Sequence, residues 1–268
     1  MMRSLYSAVS GLQVHQVKMD VLANNIANVN TTGYKKGQVT FQDMLNQTIR
    51  SAQAATGSGS GNTGGANPQQ IGLGVLVGTI NNVHSQGAAA TTGNSTDLMI
   101  QGEGYFILQD KDGNEYYSRA GVFSLDNEGN LVNSANGMLV CDSSSEAINI
   151  SDYGGNISIA ADGTISYIDN GGTTQTAGPI GLATFTNPAG LLKVGENMYV
   201  ESPATGTTDV AAPGSNRGTL IACALEMSNV DLAQEFVDMI ISQRGFQANS
   251  KSIRTVDEML QELINIKR

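Results

Sequence analysis

The sequence predicts an α+β fold, with a central antiparallel β domain flanked by N- and C-terminal helices of coiled-coil character. Three observations carry this. Apolar residues recur at heptad-like spacing only at the two ends of the 268-residue chain. Between them lie short apolar and aromatic runs cut by Gly and Asp turns. Charge divides the same way: residues 1–50 hold five basic and two acidic groups, residues 51–243 four and nineteen, and residues 244–268 five and three. The ends are therefore basic and the middle strongly acidic, as expected if the ends form one layer and the middle another. The segments expected are an N-terminal helix over 1–30, an extended linker or β-hairpin region over 31–70, a β domain over 71–224 and a C-terminal helix over 225–268.

In the N-terminal helix, Leu5, Val9, Leu12, Gln16, Met19, Ala23 and Ile26 alternate spacings of four and three. Val14, Val17 and Val21 add a stripe on a neighbouring face. Gly11 costs the helix about 1 kcal/mol. The pattern fades in Asn28-Val29-Asn30-Thr31-Thr32-Gly33, a cluster of turn formers. Further on, Ala52 to Asn67 is rich in Gly, Ser, Ala and Thr and reads as a flexible linker or extended loop.

Strand-like runs follow at Leu98-Met99-Ile100, Tyr105 to Leu108, Glu115 to Arg119, Val122 to Leu125 and Ile157 to Ile159. Asp112-Gly113, Asp162-Gly163 and Gly171-Gly172 are hairpin-type turn signals. Later strands are expected within Ile180 to Phe185, Asn197 to Glu201 and Gly218 to Met227. The C-terminal helix carries the clearest periodicity: Leu232, Met239, Phe246, Ile253 and Leu260 stand seven apart. The partner heptad positions are Phe236, Gln243, Ser250, Asp257 and Ile264, of which three are polar. Polar residues in a seam fix register and oligomeric state at some cost in stability. Asn229 or Ser228 is the expected N-cap. Asp231 and Glu235 suit the positive helix end, and Lys267 and Arg268 the negative one.

Composition excludes several function classes. A net charge of −10 argues against a general nucleic-acid binder. Two Cys (Cys141, Cys223) make no CxxC pair or disulfide framework, and two His (His15, His84) cannot build a histidine-rich metal site. No run of about 18 apolar residues is present to span a membrane. Met1-Met2-Arg3-Ser4 leads into a polar–apolar mixture with no continuous apolar core, unlike a standard secretory signal. Gly72-Leu73-Gly74-Val75-Leu76-Val77-Gly78 has the wrong spacing for a dinucleotide loop. Asp126, Glu128 and Asn130 alternate like a calcium loop, but Gly129 is misplaced and a tight turn is the expectation. Five Asn-X-Ser/Thr matches are expected by chance with 24 Asn in a Ser/Thr-rich chain. With no Trp, 5% aromatic residues and no Ser, His and Asp arrangement, the sequence points to no catalytic residue, cofactor or metal.

Four stretches carry a resemblance. They are Ser4 to Leu12 with Met19 to Lys35, Thr96 to Phe106, Tyr117-Ser118-Arg119-Ala120-Gly121-Val122-Phe123, and Leu225 to Leu232 with Gln243 to Lys251. In order and spacing they resemble the bacterial flagellar axial proteins of rod and hook, over the whole chain. Within that family the chain looks most like the short hook proteins of Gram-positive bacteria, through Asn229-Val230-Asp231-Leu232 and Gln243 to Ser250. The distal rod protein is the alternative, and the length fits it. Longer hook proteins carry an extra outer β domain for which this chain has no room. Outside the family, a secreted β-rich adhesin is the competing class.

The resemblance implies a structural subunit, not an enzyme. Its terminal helices would pair into an inner tube around a channel, with the β domain outside, and many copies would stack into a hollow helical homopolymer that transmits motor torque. It implies neighbouring axial proteins (rod, hook cap, hook–filament junction) and the flagellar type III export apparatus as partners, with neither nucleic acid nor membrane insertion. The site is the flagellum, hook or basal body, reached without a cleavable signal peptide. The expected assembly interface comprises Leu5, Val9, Leu12, Met19, Asn24, Asn25, Ile26 and Asn28 on the first helix. On the second it comprises Leu232, Phe236, Met239, Gln243, Phe246, Asn249, Ile253 and Leu260. Helices of this length are marginal alone, so they are expected to be disordered in the monomer and to fold on assembly.

Overall fold

The computed structural model describes residues 2–54, 64–150, 153–214 and 217–266. Most of the expected Gly/Ser linker (55–63) and the basic pair Lys267-Arg268 lie outside the described residues. The chain folds as two compact units, Met1–Ile26 with Gly37–Asn81 and Leu232–Arg268, and Ala27–Lys36 with Asn82–Asp231.

The first unit contains helix α1 (Met2–Ala27), strands β1 (Gly37–Asp43), β2 (Asn46–Arg50), β3 (Gln69–Gly72) and β4 (Val75–Asn82), and helix α2 (Leu232–Ile266). No Pro interrupts either helix. Strand β1 pairs with β4, and β2 pairs antiparallel with β3. None of these four strands has a fully buried residue, so burial in this unit is confined to the helices. The expected N-cap of α2 is corrected by the structure. The Asn229 side chain accepts from Lys36 N–H (2.8 Å) and donates to Val83 C=O (2.8 Å), and the helix opens at Leu232.

The second unit is β throughout its described residues, apart from one 3₁₀ turn at Pro188–Gly190. Its strands are β5 (Ala89–Thr91), β6 (Leu98–Gln101), β7 (Tyr105–Gln109), β8 (Glu115–Ser118), β9 (Phe123–Leu125), β10 (Leu131–Asn133), β11 (Leu139–Val140) and β12 (Tyr153–Ile159). There follow β13 (Ile165–Asp169), β14 (Thr174–Ala177), β15 (Leu182–Phe185), β16 (Leu192–Gly195), β17 (Met198–Val200), β18 (Thr208–Ala211), β19 (Thr219–Ala222) and β20 (Ala224–Glu226). The main sheet runs β16-β17-β8-β7-β11-β10-β9, with β15 and β18 branching from β7. Strands β12, β13 and β14 form a separate meander, while β19 pairs with β6 and β20 with β5. The hairpins expected at Asp112-Gly113 and Asp162-Gly163 form, with the glycines at φ +80° and +81°.

Strand β7 shows why this sheet is stable. Its residues Tyr105 to Leu108 are all buried, and period-two alternation sends them to opposite faces. Phe106 and Leu108 join a cluster with Leu98, Ile100, Phe123, Ile165 and Leu182, whereas Tyr105 and Ile107 join one with Tyr117, Phe185 and Tyr199. A strand covered on both faces reads as a continuous apolar run, as β7 does.

Candidate assembly surface

Two arrangements could serve function: the helix pair of the first unit and a buried ionic cluster in the second. In the helix pair, α1 presents Ala8, Gly11, His15, Lys18, Leu22 and Asn25 at spacings of three and four. On α2, Glu235, Ser242, Asn249 and Val256 stand seven apart, with Asp238 and Gly245 between them. The contacts run antiparallel. Asn25 Nδ2 donates to Glu235 Oε2 (3.0 Å), and Lys18 Nζ lies 3.6 Å from Asp238 Oδ1. The His15 ring packs over Gly245, where an added Cβ would meet the ring at 2.5 Å. An added Cβ at Gly11 would meet Asn249 Nδ2 at 2.5 Å. Asn25 also exchanges hydrogen bonds with the backbone of Gly37 in both directions, each 2.9 Å, which ties the start of β1 to the helices.

This seam is made mostly of small and polar groups, with Leu22 and Val256 as its larger buried apolar members, so the two helices approach closely. Burial, and next Lys18, hold the His15 imidazole below its ordinary pKa. Ser242 Oγ and His15 Nδ1 are buried without a hydrogen-bond partner.

The apolar stripes expected from the sequence sit one residue beyond this seam on both helices, a turn of about 100° around each axis. Leu5, Leu12, Met19 and Ile26 are half-buried on α1, as are Met239, Phe246, Asn249, Ile253 and Leu260 on α2. Asn28, just past α1, is half-buried as well. Val9, Asn24, Leu232, Phe236 and Gln243 are exposed, and only Asn25 is fully buried. The structure therefore brings Asn25 and Asn249 into the intrachain seam, leaves most of the apolar members half-buried beside it, and exposes Val9, Leu232 and Phe236. Val237, Ile240 and Ile241 extend the exposed face, each more than half exposed. Exposed apolar side chains of this kind are candidates for an interaction surface.

Sequence reasoning missed Gly11, His15, Lys18, Asp238, Ser242 and Gly245 as seam residues, and gave Glu235 only a helix-end role. The heptad of Glu235, Ser242 and Asn249 was there to be read, but a search for apolar recurrence passes over a polar one.

The second arrangement was also missed. Lys35, Arg119 and Glu226 come from three of the resembling stretches and meet inside the β unit. Lys35 Nζ lies 2.5 Å from Glu226 Oε1, and Arg119 NH1 lies 3.2 Å from Glu226 Oε2. Glu226 Oε1 also accepts from Gly87 N–H (2.9 Å), and Glu226 C=O from Gly33 N–H (2.8 Å). Lys35 donates further to Ser85 C=O (2.8 Å) and Arg119 to Gly102 C=O (2.7 Å). The Arg119 guanidinium stacks 5.3 Å from the Tyr105 ring centroid, and Tyr105 Oη lies 2.6 Å from His84 Nδ1. Burial foremost, then Lys35, Arg119 and Lys193, push the His84 pKa down to about 4 and keep the ring neutral. Both carboxylate oxygens of Glu226 are paired with protein donors, which suits a clamp rather than a reaction site, while Arg119 Nε and His84 Nε2 are buried without a hydrogen-bond partner. Burial also lowers the Lys35 pKa, against the opposing pull of Glu226.

The remaining motifs resolve simply. Gly74 packs its backbone on Ser10, whose Oγ accepts from Val75 N–H (3.3 Å), so the glycine-rich run serves close approach to α1. Asp126 to Gly129 is a tight turn, with Gly129 N–H donating to Asp126 C=O (3.0 Å). Among the described residues no three His, Cys, Asp or Glu gather as a metal site, and no helix is long and apolar enough to cross a membrane.

Known families match this layout in three places. Residues 5–35 match the flagella basal body rod protein family. Residues 99–167 match the D1 domain of flagellar hook protein FlgE/F/G, and residues 222–266 the C-terminal region of flagellar basal body rod FlgEFG proteins. The chain is 51% identical to the flagellar basal-body rod protein FlgG of Bacillus subtilis, over the full length of both. It is 39% identical to FlgG of Agrobacterium fabrum, covering 96% of this chain and 97% of that one. Against the flagellar hook protein FlgE of Borreliella burgdorferi it is 29% identical, over an alignment of 446 positions that covers both chains completely. The chain belongs to the FlgE/F/G family of flagellar rod and hook proteins, and is an axial structural subunit of the flagellum rather than an enzyme.

Proposed function

We propose that this chain is a subunit of the distal rod of the flagellar basal body, polymerising with copies of itself into a hollow helical tube. The carrying observation is the end-to-end similarity at 51% identity to a basal-body rod protein. The hook relatives align only with long segments that this chain lacks, since 446 and 468 aligned positions face 268 residues here. The hook reading preferred from sequence therefore becomes second. It rested on motifs at 229–232 and 243–250, and those residues serve contacts within one chain, as Asn229 and Asn249 do.

The exposed apolar faces of α1 and α2 are the polymerisation surfaces in this reading. Neighbouring axial proteins would meet the same faces at the ends of the tube. Delivery would use the flagellar type III apparatus, which admits chains before the helices are buried. A non-closing heterologous contact generates a helical polymer, and the helices would line its interior. The test is the position of a tagged copy in purified hook–basal bodies. Label between motor and hook is expected, and label confined to the hook would overturn the rod assignment.

A further inference from the structure

The antiparallel contacts of α1 and α2 fix where each helix runs out. Extending the facing of Gly11 with Asn249 and His15 with Gly245 places Met2 opposite Glu258. Among the described residues, the last two turns of α2, from Met259 to Ile266, thus have no α1 residue opposite them. Met259, Leu263 and Ile266 fall at spacings of four and three on one face of these turns. They are 49%, 49% and 79% exposed, and Ile264 beside them is 67% exposed. Glu258 and Glu262 flank that face, and both are exposed.

A receiving surface lies in the same unit. Arg3, Tyr6, Val9, Gln13, Met44 and Leu73 line an open groove of about 430 Å³. Tyr6 is 69% exposed although it forms a wall. Gly74, seated on Ser10, holds Leu73 over the first turns of α1, and Met44 N–H donates to Gly74 C=O (2.9 Å) to close the other side. Arg3, Tyr6, Ser10 and Gln13 follow one another at spacings of three and four, on the side of α1 turned away from Ala8, Gly11 and His15. Helix α2 of the same chain therefore cannot reach the groove.

We propose that the groove receives the last two turns of α2 from a second copy of this chain, with Leu263 and Ile266 against Tyr6 and Leu73 and Glu262 against Arg3. The inference rests on the self-assembly reading and names its contact. Apolar character agrees, and Glu262 supplies an anion for the Arg3 cation at the mouth of the groove. The groove centre and the overhang lie about ten residues apart along the helix pair, so the neighbour is displaced axially by about 15 Å. Such a contact joins unlike surfaces and does not close on itself, which propagates a helical polymer.

Cross-linking tests it with the full chain. Two variants, Tyr6→Cys and Leu263→Cys, each also carrying Cys223→Ser, are polymerised each alone and as a mixture of the two monomers, then oxidised. Covalent dimers from the mixture alone are expected. Polymer that forms from the mixture without dimers overturns this contact and leaves the subunit reading intact. An unmodified chain that never polymerises overturns the subunit reading itself. If the cysteine variants do not polymerise, the charge pair decides: Arg3→Glu should reduce pelleted polymer, and Glu262→Arg in the same chain should restore it. Absence of restoration overturns the contact.

Discussion

Glu226 accepts from two buried cations and from a backbone amide of a third segment, so one carboxylate joins the Gly33-Tyr34-Lys35 stretch, the Arg119 corner after β8 and the end of β20. Both Lys35 and Glu226 side chains are fully buried. Removing one partner of a buried ionic group leaves uncompensated charge, a loss of about 3–5 kcal/mol, far more than the ion pair itself contributes. Glu226→Gln keeps the shape and leaves Lys35 and Arg119 facing a neutral amide. The expected result in urea unfolding, followed by tyrosine fluorescence, is destabilisation of about 3 kcal/mol or more. The exposed carboxylate Glu201, changed to Gln, should cost less than about 1 kcal/mol. A Glu226→Gln variant within about 1 kcal/mol of the parent would show that the cluster is not a clamp. In sequence these residues looked like family markers without a task, because nothing local to residues 35, 119 and 226 announces that they meet.

At the scale of elements, existence and type were legible and register was not. Heptad recurrence identified both helices, since apolar residues at three and four spacing have no other economical explanation over so many turns. The intrachain seam lies one residue away from that recurrence, because this pair packs through Gly11, Gly245, Asn25 and Glu235. Several larger apolar groups, Phe236, Val237, Ile240 and Ile241 among them, stay exposed in the single chain. The meander β12–β14 was legible only in part. Ile157 and Ile159 alternate visibly, whereas β14 is Thr174-Gln175-Thr176-Ala177, which holds its place by pairing with β13 and not by its own apolar pattern. A helix pair with a polar seam and an exposed apolar face gains little stability until a neighbour arrives. Amide exchange in the purified monomer should accordingly be fast across residues 5–26 and 232–264 and slow in β7 and its neighbours, with helix protection appearing on polymerisation. Strong helix protection in a verified monomer would falsify folding on assembly.

The whole molecule combines a unit with its own core and a unit without one. The large clusters around Phe106 and Tyr199 lie wholly in the second unit, and the first buries only scattered residues along its helix seam. Charge follows this division: the nineteen acidic groups against four basic ones in residues 51–243 belong mostly to the β unit, and like charge disfavours association through its sheets. In the proposed assembly, association is left to the helices. The β unit should accordingly be separable from polymerisation. A fragment of residues 27–231 retains Lys35, Arg119 and Glu226 together with both core clusters. It is expected to remain a folded monomer whose tyrosine-detected urea midpoint matches that of the full chain, and to yield no pelletable polymer. A fragment starting at Asn82 loses Lys35 and should unfold at lower urea, because Glu226 then keeps only Arg119 and the Gly87 amide. Equal midpoints for the two fragments would remove Lys35 from the stability of the β unit. Polymer from residues 27–231 would move the assembly surface off the helices altogether.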